Sequence, residues 1–385
     1  MSSELRRYRP RNGIIAEIPS AQWNSLAGDH HPLVRHELFA AFEETGCAVP
    51  EAGWVPHYLL VTNHGEIVGA APIYAKSHTY GEFVFDFAWA EAYQRAGLRY
   101  FPKLISAIPF TPIAGPRLLV ADRPDRDEIQ RTLAEGATEL ARKLGVSSMH
   151  WLFPHATDVA RLERHGLMRR DGFQYHWLNP GYRDFEDFLS TLNAKKRKQI
   201  RRERRHVHEA GVEIEILQGH EISSAHWDRM HDFHQATIRN YGAPPFLTRA
   251  FFHRLAEHMP ENVVMVFARH GRAYVGGAFN FLGQDALYGR YWGGRQDIHS
   301  LHFEVCYYSA IEFCIARGLE RFEGGAGGEH KLARGFVPVT TYSAHWLKHP
   351  QFARAVADFL ARERNGVEIY LDELNERTPF KKAVS

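Results

Sequence analysis

The sequence predicts an α/β protein with mixed sheets, built from two copies of one domain. The chain has 385 residues, enough for two domains that each bury a hydrophobic core. Segments with the strand period alternate with segments of the helix period. One hairpin design also occurs twice, at residues 59–71 and 266–278: an apolar strand, a His-Gly turn and a second apolar strand ending in small residues. We therefore expect duplicated domains at residues 1–180 and 181–385.

The composition excludes several classes of protein. The hydrophobic and charged fractions, 44% and 24%, are those of a folded globular chain. A formal net charge of +2 gives the whole protein no general attraction to DNA or to a membrane surface. Cys47, Cys306 and Cys314 are too few and too scattered for a disulfide framework. No uncharged run is long enough for a membrane span, and residues 1–10 lack the apolar stretch of a signal peptide. We expect a cytoplasmic protein.

Helix and strand patterns alternate along the first half of the chain. Residues 57–74 predict a hairpin, because glycine follows a polar residue between two apolar runs. Residues 110–117 predict a loop, because two prolines and a glycine lie close together. The remaining predicted elements are a strand at 14–18, a helix at 32–44, a short strand leading to a helix at 80–99, a helix at 125–144, a strand at 148–153, a helix at 158–165 and a strand at 172–178.

The second half repeats this order. It predicts a strand at 213–217, helices at 227–240 and 248–257, a hairpin at 263–281, a strand at 286–292, a helix at 301–317, strands at 321–323 and 339–347, and a helix at 350–364. Strand, two helices, hairpin, strand, helix, strand, helix, strand is the order of a GNAT-type acyltransferase domain. This is an analogy between folds, so the activity has to be argued from the site.

Residues 323–336 combine glycines with titratable side chains. Four glycines in five positions allow the backbone to curl with its N–H groups inward, as an anion-binding nest requires. An acid, an imidazole, an amine and a guanidinium follow, so we expect a functional pocket; the alternative is a surface turn whose charges are solvated. The predicted phosphate- or oxyanion-binding residues are Gly324, Gly325, Gly327 and Gly328, and the predicted site side chains are Glu329, His330, Lys331 and Arg334.

A basic helix is predicted at about residues 189–210, opening the second domain. Residues 195–205 hold eight basic side chains and one acid. Leu189, Ile200 and Val207 gather on one half of the helix, which predicts that this half is docked. The other half suits phosphate binding, as on an RNA backbone, because arginine grips phosphate bidentately; the alternative is a solvated face. The predicted polyanion-binding residues are Lys195, Arg197, Lys198, Arg201, Arg202, Arg204 and Arg205.

The end of the predicted central strand carries further candidate substrate-binding residues. The pattern Arg290-x-x-Gly293 matches part of the loop that cradles pyrophosphate in CoA-using GNAT domains. Arg295 occupies the position where that loop has a small residue, which weighs against a CoA thioester donor. The predicted substrate-binding residues outside the glycine-rich segment are Arg290, Tyr291, Trp292, His302 and His345.

Glu304 is the first candidate for a general base. It lies in an otherwise apolar helix, where burial would raise the pKa of its carboxyl toward the working pH. The alternative is a first-turn acid that is stabilised by the helix dipole. Cys306 is predicted to be a buried core residue rather than a nucleophile. His302-Phe-Glu304 lacks the Pro-Cys-x-x-Cys partner of the zinc deaminases, so no metal site is predicted.

Five stretches resemble the bacterial predicted N-acyltransferases of the Fem-like, peptidoglycan-biosynthesis type. The resemblance covers nearly the whole chain and implies tandem GNAT-like domains, related to aminoacyltransferases that extend the peptidoglycan peptide from aminoacyl-tRNA. Fem proteins often carry a seryl-tRNA-synthetase-like helical arm, which has no counterpart here. The stretches are residues 80–90, 109–117, 196–204, 301–308 and 327–336.

The sequence therefore predicts an N-acyltransferase that moves an activated acyl or aminoacyl group onto an amine, such as that of a peptidoglycan-precursor peptide. Glu304 or His330 would be the general base, and the glycine loop with Lys331 or Arg334 would hold the oxyanion or a donor phosphate. Acyl-CoA or aminoacyl-tRNA would be the donor, with tRNA as a partner and no resident cofactor. The alternative is a non-catalytic RNA- or nucleotide-binding protein on the same duplicated fold.

Overall fold

The computed structural model describes residues 6–8, 14–28, 30–242, 245–294 and 298–381. The chain forms two compact units. The first contains Met1–Phe173 and Thr340–Tyr370, and the second contains Gln174–Val339 and Leu371–Ser385. No helix among the described residues combines the length and the apolar character that crossing a membrane requires.

The described residues form the following strands and helices. The strands are β1 (Arg6–Tyr8), β2 (Trp54–Pro56), β3 (Leu59–Asn63), β4 (Glu66–Ala71), β5 (Ile73–Lys76), β6 (Lys103–Ser106), β7 (Ser148–Leu152), β8 (Met168–Leu178), β9 (Val212–Gln218), β10 (Val263–His270), β11 (Ala273–Leu282), β12 (Ala286–Gly294), β13 (Arg321–Glu323) and β14 (Val337–Leu347). The helices are α1 (Ser20–Ala27), α2 (His36–Glu44), α3 (Phe87–Arg95), α4 (Arg126–Leu144), α5 (Ala156–Arg164), α6 (Phe185–Thr191), α7 (Ala194–Glu209), α8 (Ser224–Asn240), α9 (Arg249–His258), α10 (Leu301–Phe303), α11 (Ser309–Arg317) and α12 (Pro350–Glu376).

The first unit has a three-stranded sheet, β1-β3-β4, and a larger sheet in which β2, β5, β6, β7 and β14 are neighbours in that order. Only β6 and β7 among these pairs run parallel. Parallel neighbours need a crossover connection, and α4 supplies it between β6 and β7. Leu133 and Ala137 of α4 are fully buried in a core that also contains Trp151 of β7.

The second unit orders its strands β8-β13-β12-β11-β10-β9. Here β12 and β13 are the parallel pair, from Ala286 opposite Arg321 to Tyr288 opposite Glu323. The crossover between them is α10, a π-helical turn at Glu304–Tyr308 and α11. Beyond Tyr288, β12 continues while β13 stops, so the chain that follows Glu323 leaves the sheet as the glycine-rich loop. Each unit thus has antiparallel strands with one parallel pair, which is the predicted GNAT-like arrangement.

Each unit also completes its sheet with a strand from the other half of the sequence. Ser343–Leu347 of β14 pair with Leu152–Ser148 in the first unit. His176–Leu178 of β8 pair with Glu323–Arg321 in the second unit. A division at residue 180 assigns these two strands the other way round. A period-2 pattern identifies a strand but carries no information about which distant strand is its partner.

The local predictions are confirmed at the two His-Gly hairpins, β3–β4 and β10–β11, and at α4, α8 and α9. Residues 14–18, predicted as a strand, instead contain a 3-10 turn at Ile15–Glu17. The final helix runs to Glu376, beyond the predicted end at 364. The predicted helix at 189–210 is two helices, because Asn193 caps α7 by accepting a hydrogen bond from the Lys196 N–H at 3.0 Å.

The first unit buries an ion cluster that explains the irregular segment before α3. Lys103 Nζ lies 2.7 Å from Glu82 Oε2 and 2.5 Å from Asp86 Oδ2, and the three residues are at most 4% exposed. Burial raises the pKa of Glu82 to about 7, while Lys103 acts in the opposite direction. Because both acids point inward to one amine, and because Phe83 has a φ of +61°, residues 80–86 do not form the predicted strand.

Candidate functional site

The π-helical turn Glu304–Tyr308 is the centre of the candidate site in the second unit. Such turns are rare and occur frequently at functional sites. This one brings the rings of Phe303 and Tyr307 together, with centroids 6.3 Å apart. Both rings lie against His330: the Tyr307 hydroxyl is 2.9 Å from His330 Nε2, and the Phe303 centroid is 5.7 Å from that of the imidazole. The turn that carries Glu304 therefore contacts the predicted site residue His330.

Lys331 holds the glycine-rich loop from the inside. Its Nζ donates to the carbonyl oxygens of Gly325 at 2.6 Å and Gly327 at 2.7 Å. The residue is 2% exposed, and burial lowers the pKa of Lys331 to about 8. Lys331 was predicted as an anion ligand, but its ammonium is bound to loop carbonyls. Gly328, with a φ of +91°, leaves space for the imidazole, because a Cβ there would overlap the His330 ring.

Arg334 is also buried and directed into the protein. Its Nη1 donates to the His330 carbonyl at 2.7 Å, and its guanidinium lies 3.3 Å from the centroid of the Phe303 ring. Its Nη2 donates to both carboxylate oxygens of Glu203, at 2.9 and 3.0 Å. The predicted oxyanion ligand is therefore a support for the loop. His330 and Glu329 are the exposed residues of the segment.

Glu304 is held in an ion pair. It is 4% exposed, and Arg204 donates to it from Nε at 3.2 Å to each carboxylate oxygen and from Nη2 at 2.9 Å. Burial raises the pKa of Glu304, and Arg204 opposes that shift. Arg204 also binds Glu312 at 2.7 and 2.8 Å. Both carboxylate oxygens of Glu304 face the guanidinium of Arg204. The lone pairs of Glu304 are therefore less available to a substrate than those of the exposed His330 imidazole.

The position of Arg204 corrects the predicted polyanion surface. Ile200, Glu203, Arg204 and Val207 have the i, i+3, i+4, i+7 spacing of one helix face, and that face is directed into the unit. Arg197 is half-buried and donates to the Leu192 carbonyl at 3.2 Å. We call the exposed lysines and arginines of α7 the positive ridge; they are Lys195, Lys198, Arg201, Arg202 and Arg205.

Alternate residues of β12 face two different environments. Trp292 packs edge-on against His302, with centroids 5.2 Å apart, and burial lowers the pKa of His302 to about 4. Tyr291 packs against His234 at 5.0 Å, and the guanidinium of Arg290 lies 5.0 Å from the centroid of the Tyr291 ring. Trp292 thus contacts the His302–His330 cluster.

Gly293 has a packing role that the sequence pattern did not indicate. A Cβ at this position would overlap the backbone carbonyl of Phe233 on α8. The glycine of the Arg290-x-x-Gly293 pattern is therefore required where β12 and α8 approach closely, and Arg295 lies outside the described residues.

Substituting Gly293 with alanine is expected to destabilise the protein by about 3 kcal/mol, at the upper end of the range for overpacking. Gly366→Ala is the matched control, because nothing lies within 4 Å of a Cβ at Gly366 on α12. That change should be neutral or stabilising, since alanine has the higher helix propensity. Urea unfolding of both variants measures the difference. Equal stability would mean that β12 and α8 separate without cost.

His345 does not join the cluster. It belongs to the first unit, where it is 1% exposed. Its Nδ1 lies 2.7 Å from His150 Nδ1 and its Nε2 lies 2.9 Å from Ser343 Oγ. Burial lowers the pKa of His345 well below its ordinary value. His345 is therefore a neutral, hydrogen-bonded core residue, and the structure places it in the first unit, apart from the residues around His330.

Sequence reasoning missed Glu203, Tyr307 and Glu312. Glu203 was counted only as the single acid among basic residues, yet its spacing from Ile200 and Val207 places it on the buried face. Tyr307 follows Glu304 by three residues, so helical spacing places both on neighbouring faces. Among the described residues, no group of three or more His, Cys, Asp and Glu side chains is arranged to hold a metal ion.

The duplicated GNAT-like fold places the protein among the acyltransferase-type folds, and comparison with solved structures confirms that class. A crystal structure of FemX covers 92% of this chain and 100% of its own, with a TM-score of 0.55 and 10% identity. The C-terminal domain of a protein assigned as a lysylphosphatidylglycerol synthetase, from Agrobacterium fabrum, covers 90% and 96%, with a TM-score of 0.55 and 11% identity. L-PGS from Bacillus licheniformis covers 87% and 98%, with a TM-score of 0.50 and 10% identity.

The chain belongs to the FemAB-like family, described as peptidoglycan biosynthesis/recognition, whose family model matches residues 14–382. No curated protein matches the sequence. The predicted family is confirmed. Because the identities to the solved structures are low, those structures support the fold alone.

Proposed function

We propose that this FemAB-like protein is an N-acyltransferase that moves an aminoacyl group from aminoacyl-tRNA to an amine of a peptidoglycan-precursor peptide in the cytoplasm. The observation that carries the proposal is the exposed imidazole of His330, which the π-helical turn and the glycine-rich loop hold through Tyr307 and Arg334. The family description supports the peptidoglycan acceptor. The positive ridge supports a polyanionic donor, because it lies on the same helix whose inner face contacts the site.

His330 is the proposed general base. In the active tautomer, Nε2–H donates to the Tyr307 oxygen and Nδ1 keeps its lone pair. Burial lowers the pKa of His330, and the positive charges of Arg334 and Lys331 lower it further, so the imidazole is neutral at pH 7 and able to accept a proton. As the acceptor amine attacks the ester carbonyl, His330 takes the ammonium proton. The new C–N bond forms, the ester C–O bond breaks, and His330 returns the proton it has taken to the departing ribose oxygen.

The other residues of the cluster have supporting roles in this proposal. Backbone N–H groups of the glycine-rich loop would bind the oxyanion of the tetrahedral intermediate. Lys331 would keep the loop in shape through the carbonyls of Gly325 and Gly327. Glu304 would hold α7 against the π-helical turn through Arg204. Trp292 and His302 would line the substrate position beside His330.

The proposed donor is tested by removing the positive ridge. Replacing Lys198, Arg201, Arg202 and Arg205 with glutamine should weaken binding of unacylated tRNA and flatten its salt dependence. Each lost phosphate contact should reduce the slope of log K against log salt by about 0.7–0.9. The measurement is a binding titration with total tRNA at several salt concentrations.

A control variant removes four exposed positive charges from the first unit instead: Arg95, Arg131, Lys143 and Arg164 to glutamine. Its tRNA binding should change little at a given salt concentration. If the ridge variant binds tRNA as the unaltered protein does, the ridge is a solvated helix face and does not hold the donor. The second candidate function, non-catalytic RNA binding, is supported by the same ridge, and it predicts tRNA binding without transfer.

A further inference from the structure

The inner face of α7 places two consecutive residues of opposite charge against different parts of the site. Arg204 binds Glu304 of the π-helical turn and Glu312 of α11. Glu203, 6% exposed, accepts hydrogen bonds from Arg334 Nη2 and from the Tyr308 hydroxyl. One carboxylate therefore joins α7, the π-helical turn and the segment Glu329–Arg334.

The contacts continue from Glu203 to the imidazole-bearing residue. Arg334 donates from Nη2 to the carboxylate of Glu203, and it donates from Nη1 to the His330 carbonyl at 2.7 Å. The same guanidinium is stacked on the ring of Phe303, which itself packs against the imidazole of His330. The backbone at His330 is thus fixed by an arginine whose orientation depends on Glu203.

We propose that Glu203 is a positioning residue for His330: it holds Arg334, and through Arg334 the loop backbone, so that helix α7 couples the positive ridge to the imidazole. The contacts themselves do not depend on the proposed function, whereas the catalytic meaning of the coupling rests on it. Glu203 is 6% exposed, so it acts on His330 through Arg334 rather than by touching a substrate.

The inference makes a local prediction for the ligand-free, full-length protein. In Glu203→Gln, Arg334 loses its ionic partner and the segment Glu329–Arg334 opens more often, so its amide hydrogen exchange should accelerate at least about tenfold. Exchange in β10 and β11 should be unchanged. The pKa of His330 should rise toward its ordinary value of about 6.5, because the imidazole leaves its partly buried place beside Arg334, Lys331, His302 and Tyr307.

Histidine labelled at carbon Cε1 gives this pKa by NMR titration, with the His330 resonance assigned from its loss in His330→Gln. A purely electrostatic role, with the loop still in place, would lower the pKa, since Arg334 would then act on His330 without its counter-charge. A purely structural role would reduce global stability and leave both the pKa and the local exchange unchanged. Either of those results overturns the inference.

Two further variants keep the test decisive. Glu186→Gln is the control variant. It removes the carboxylate partner of Arg201, which lies on the exposed side of α7, and Glu186 itself is 65% exposed. This change should leave the pKa of His330 and the exchange at residues 329–334 unaffected. Should Glu203→Gln not fold, the double variant Glu203→Gln/Arg334→Met removes both buried charges together. It should fold and show the same accelerated exchange at residues 329–334. Normal exchange in that variant would mean that the loop needs no support from α7.

Addition of total tRNA separates this inference from the proposed donor. In the unaltered protein, bound tRNA should slow exchange at residues 329–334, and in Glu203→Gln it should bind without that effect. If tRNA binds and the exchange rate at residues 329–334 does not change in either protein, the proposed coupling is wrong and the proposed tRNA donor is retained. If tRNA does not bind, the donor is wrong, and the ligand-free measurements decide the role of Glu203 alone.

Discussion

Replacing Lys103 with methionine is expected to destabilise the protein by about 3–5 kcal/mol, the cost of leaving a buried charge without its partner. Lys103 pairs with both Glu82 and Asp86 inside the first unit, and methionine fills a similar volume without supplying a positive charge. The free energy of unfolding in urea at pH 8 measures the effect. A loss below about 1 kcal/mol, the value typical of an exposed pair, would contradict the buried arrangement.

The deficit of the Lys103→Met variant should depend on pH in a defined direction. Burial raises the pKa of Glu82 to about 7 in the folded state, above that of the unfolded chain. A carboxyl with a raised pKa favours folding below its unfolded pKa and loses that contribution as pH rises through its folded pKa. Without Lys103 the pKa of Glu82 in the folded state should be higher still. The loss of unfolding free energy in Lys103→Met should therefore be larger at pH 8 than at pH 5.

Lys143→Met is the matched control for this experiment. Lys143 Nζ also lies near a carboxylate, 3.0 Å from Glu139 Oε1, but its side chain is largely exposed. The expected loss is within about 0.5 kcal/mol, because an exposed i,i+4 pair contributes little and is screened by salt. A deficit that is equally large in both variants would indicate a general effect of removing a lysine rather than a buried cluster.

The second large effect is expected in the site. His330→Gln should remain folded, since the residue is exposed, and should reduce turnover by about 10²–10⁴-fold, the usual contribution of a general base. The measurement is transfer of labelled amino acid from a mixture of aminoacyl-tRNAs to a muropeptide acceptor. In the unaltered protein, activity should rise with pH through the pKa of His330, which burial holds below its ordinary value of about 6.5.

Cys306→Ala is the control for this chemistry. Burial raises the pKa of the Cys306 thiol well above its ordinary value, so the group is a neutral packing residue and its loss should leave turnover nearly unchanged. A folded but inactive Cys306→Ala protein would mean covalent catalysis and would overturn the role of His330. A protein that binds tRNA but transfers nothing, with or without His330, would be the non-catalytic RNA-binding alternative.

Much of the fold is determined by local sequence patterns. The two His-Gly hairpins form where predicted, because a glycine in a tight turn between apolar runs fixes both the turn and the pairing of adjacent strands. Helix α4 forms at residues 126–144 because its apolar residues repeat with the helix period. The proximity of the segments that carry Glu304 and His330 could also be predicted. Glu304 follows β12 and His330 follows β13, and these two strands are the parallel pair of the second unit.

The roles of the charged residues were decided by tertiary structure. Lys331 and Arg334 stand beside His330 in sequence and were predicted to bind an anion, yet one binds loop carbonyls and the other binds Glu203, 131 residues away along the chain. Arg204 was assigned to the surface, but Glu304, 100 residues away, holds it on the inner face of α7.

The sequence by itself determined the domain type, the family and the segments that carry titratable groups, because these depend on patterns within a few dozen residues. Tertiary structure alone decided which strands complete each sheet and which charges remain exposed. The physical reason is the cost of burying an ion: a charged side chain enters the interior only where hydrogen-bond partners or a counter-charge compensate it, and for Arg204 and Arg334 a distant segment supplies that counter-charge. Local spacing does not reveal that partner, and so the sequence identified His330 as a candidate but not Glu203, which supports it.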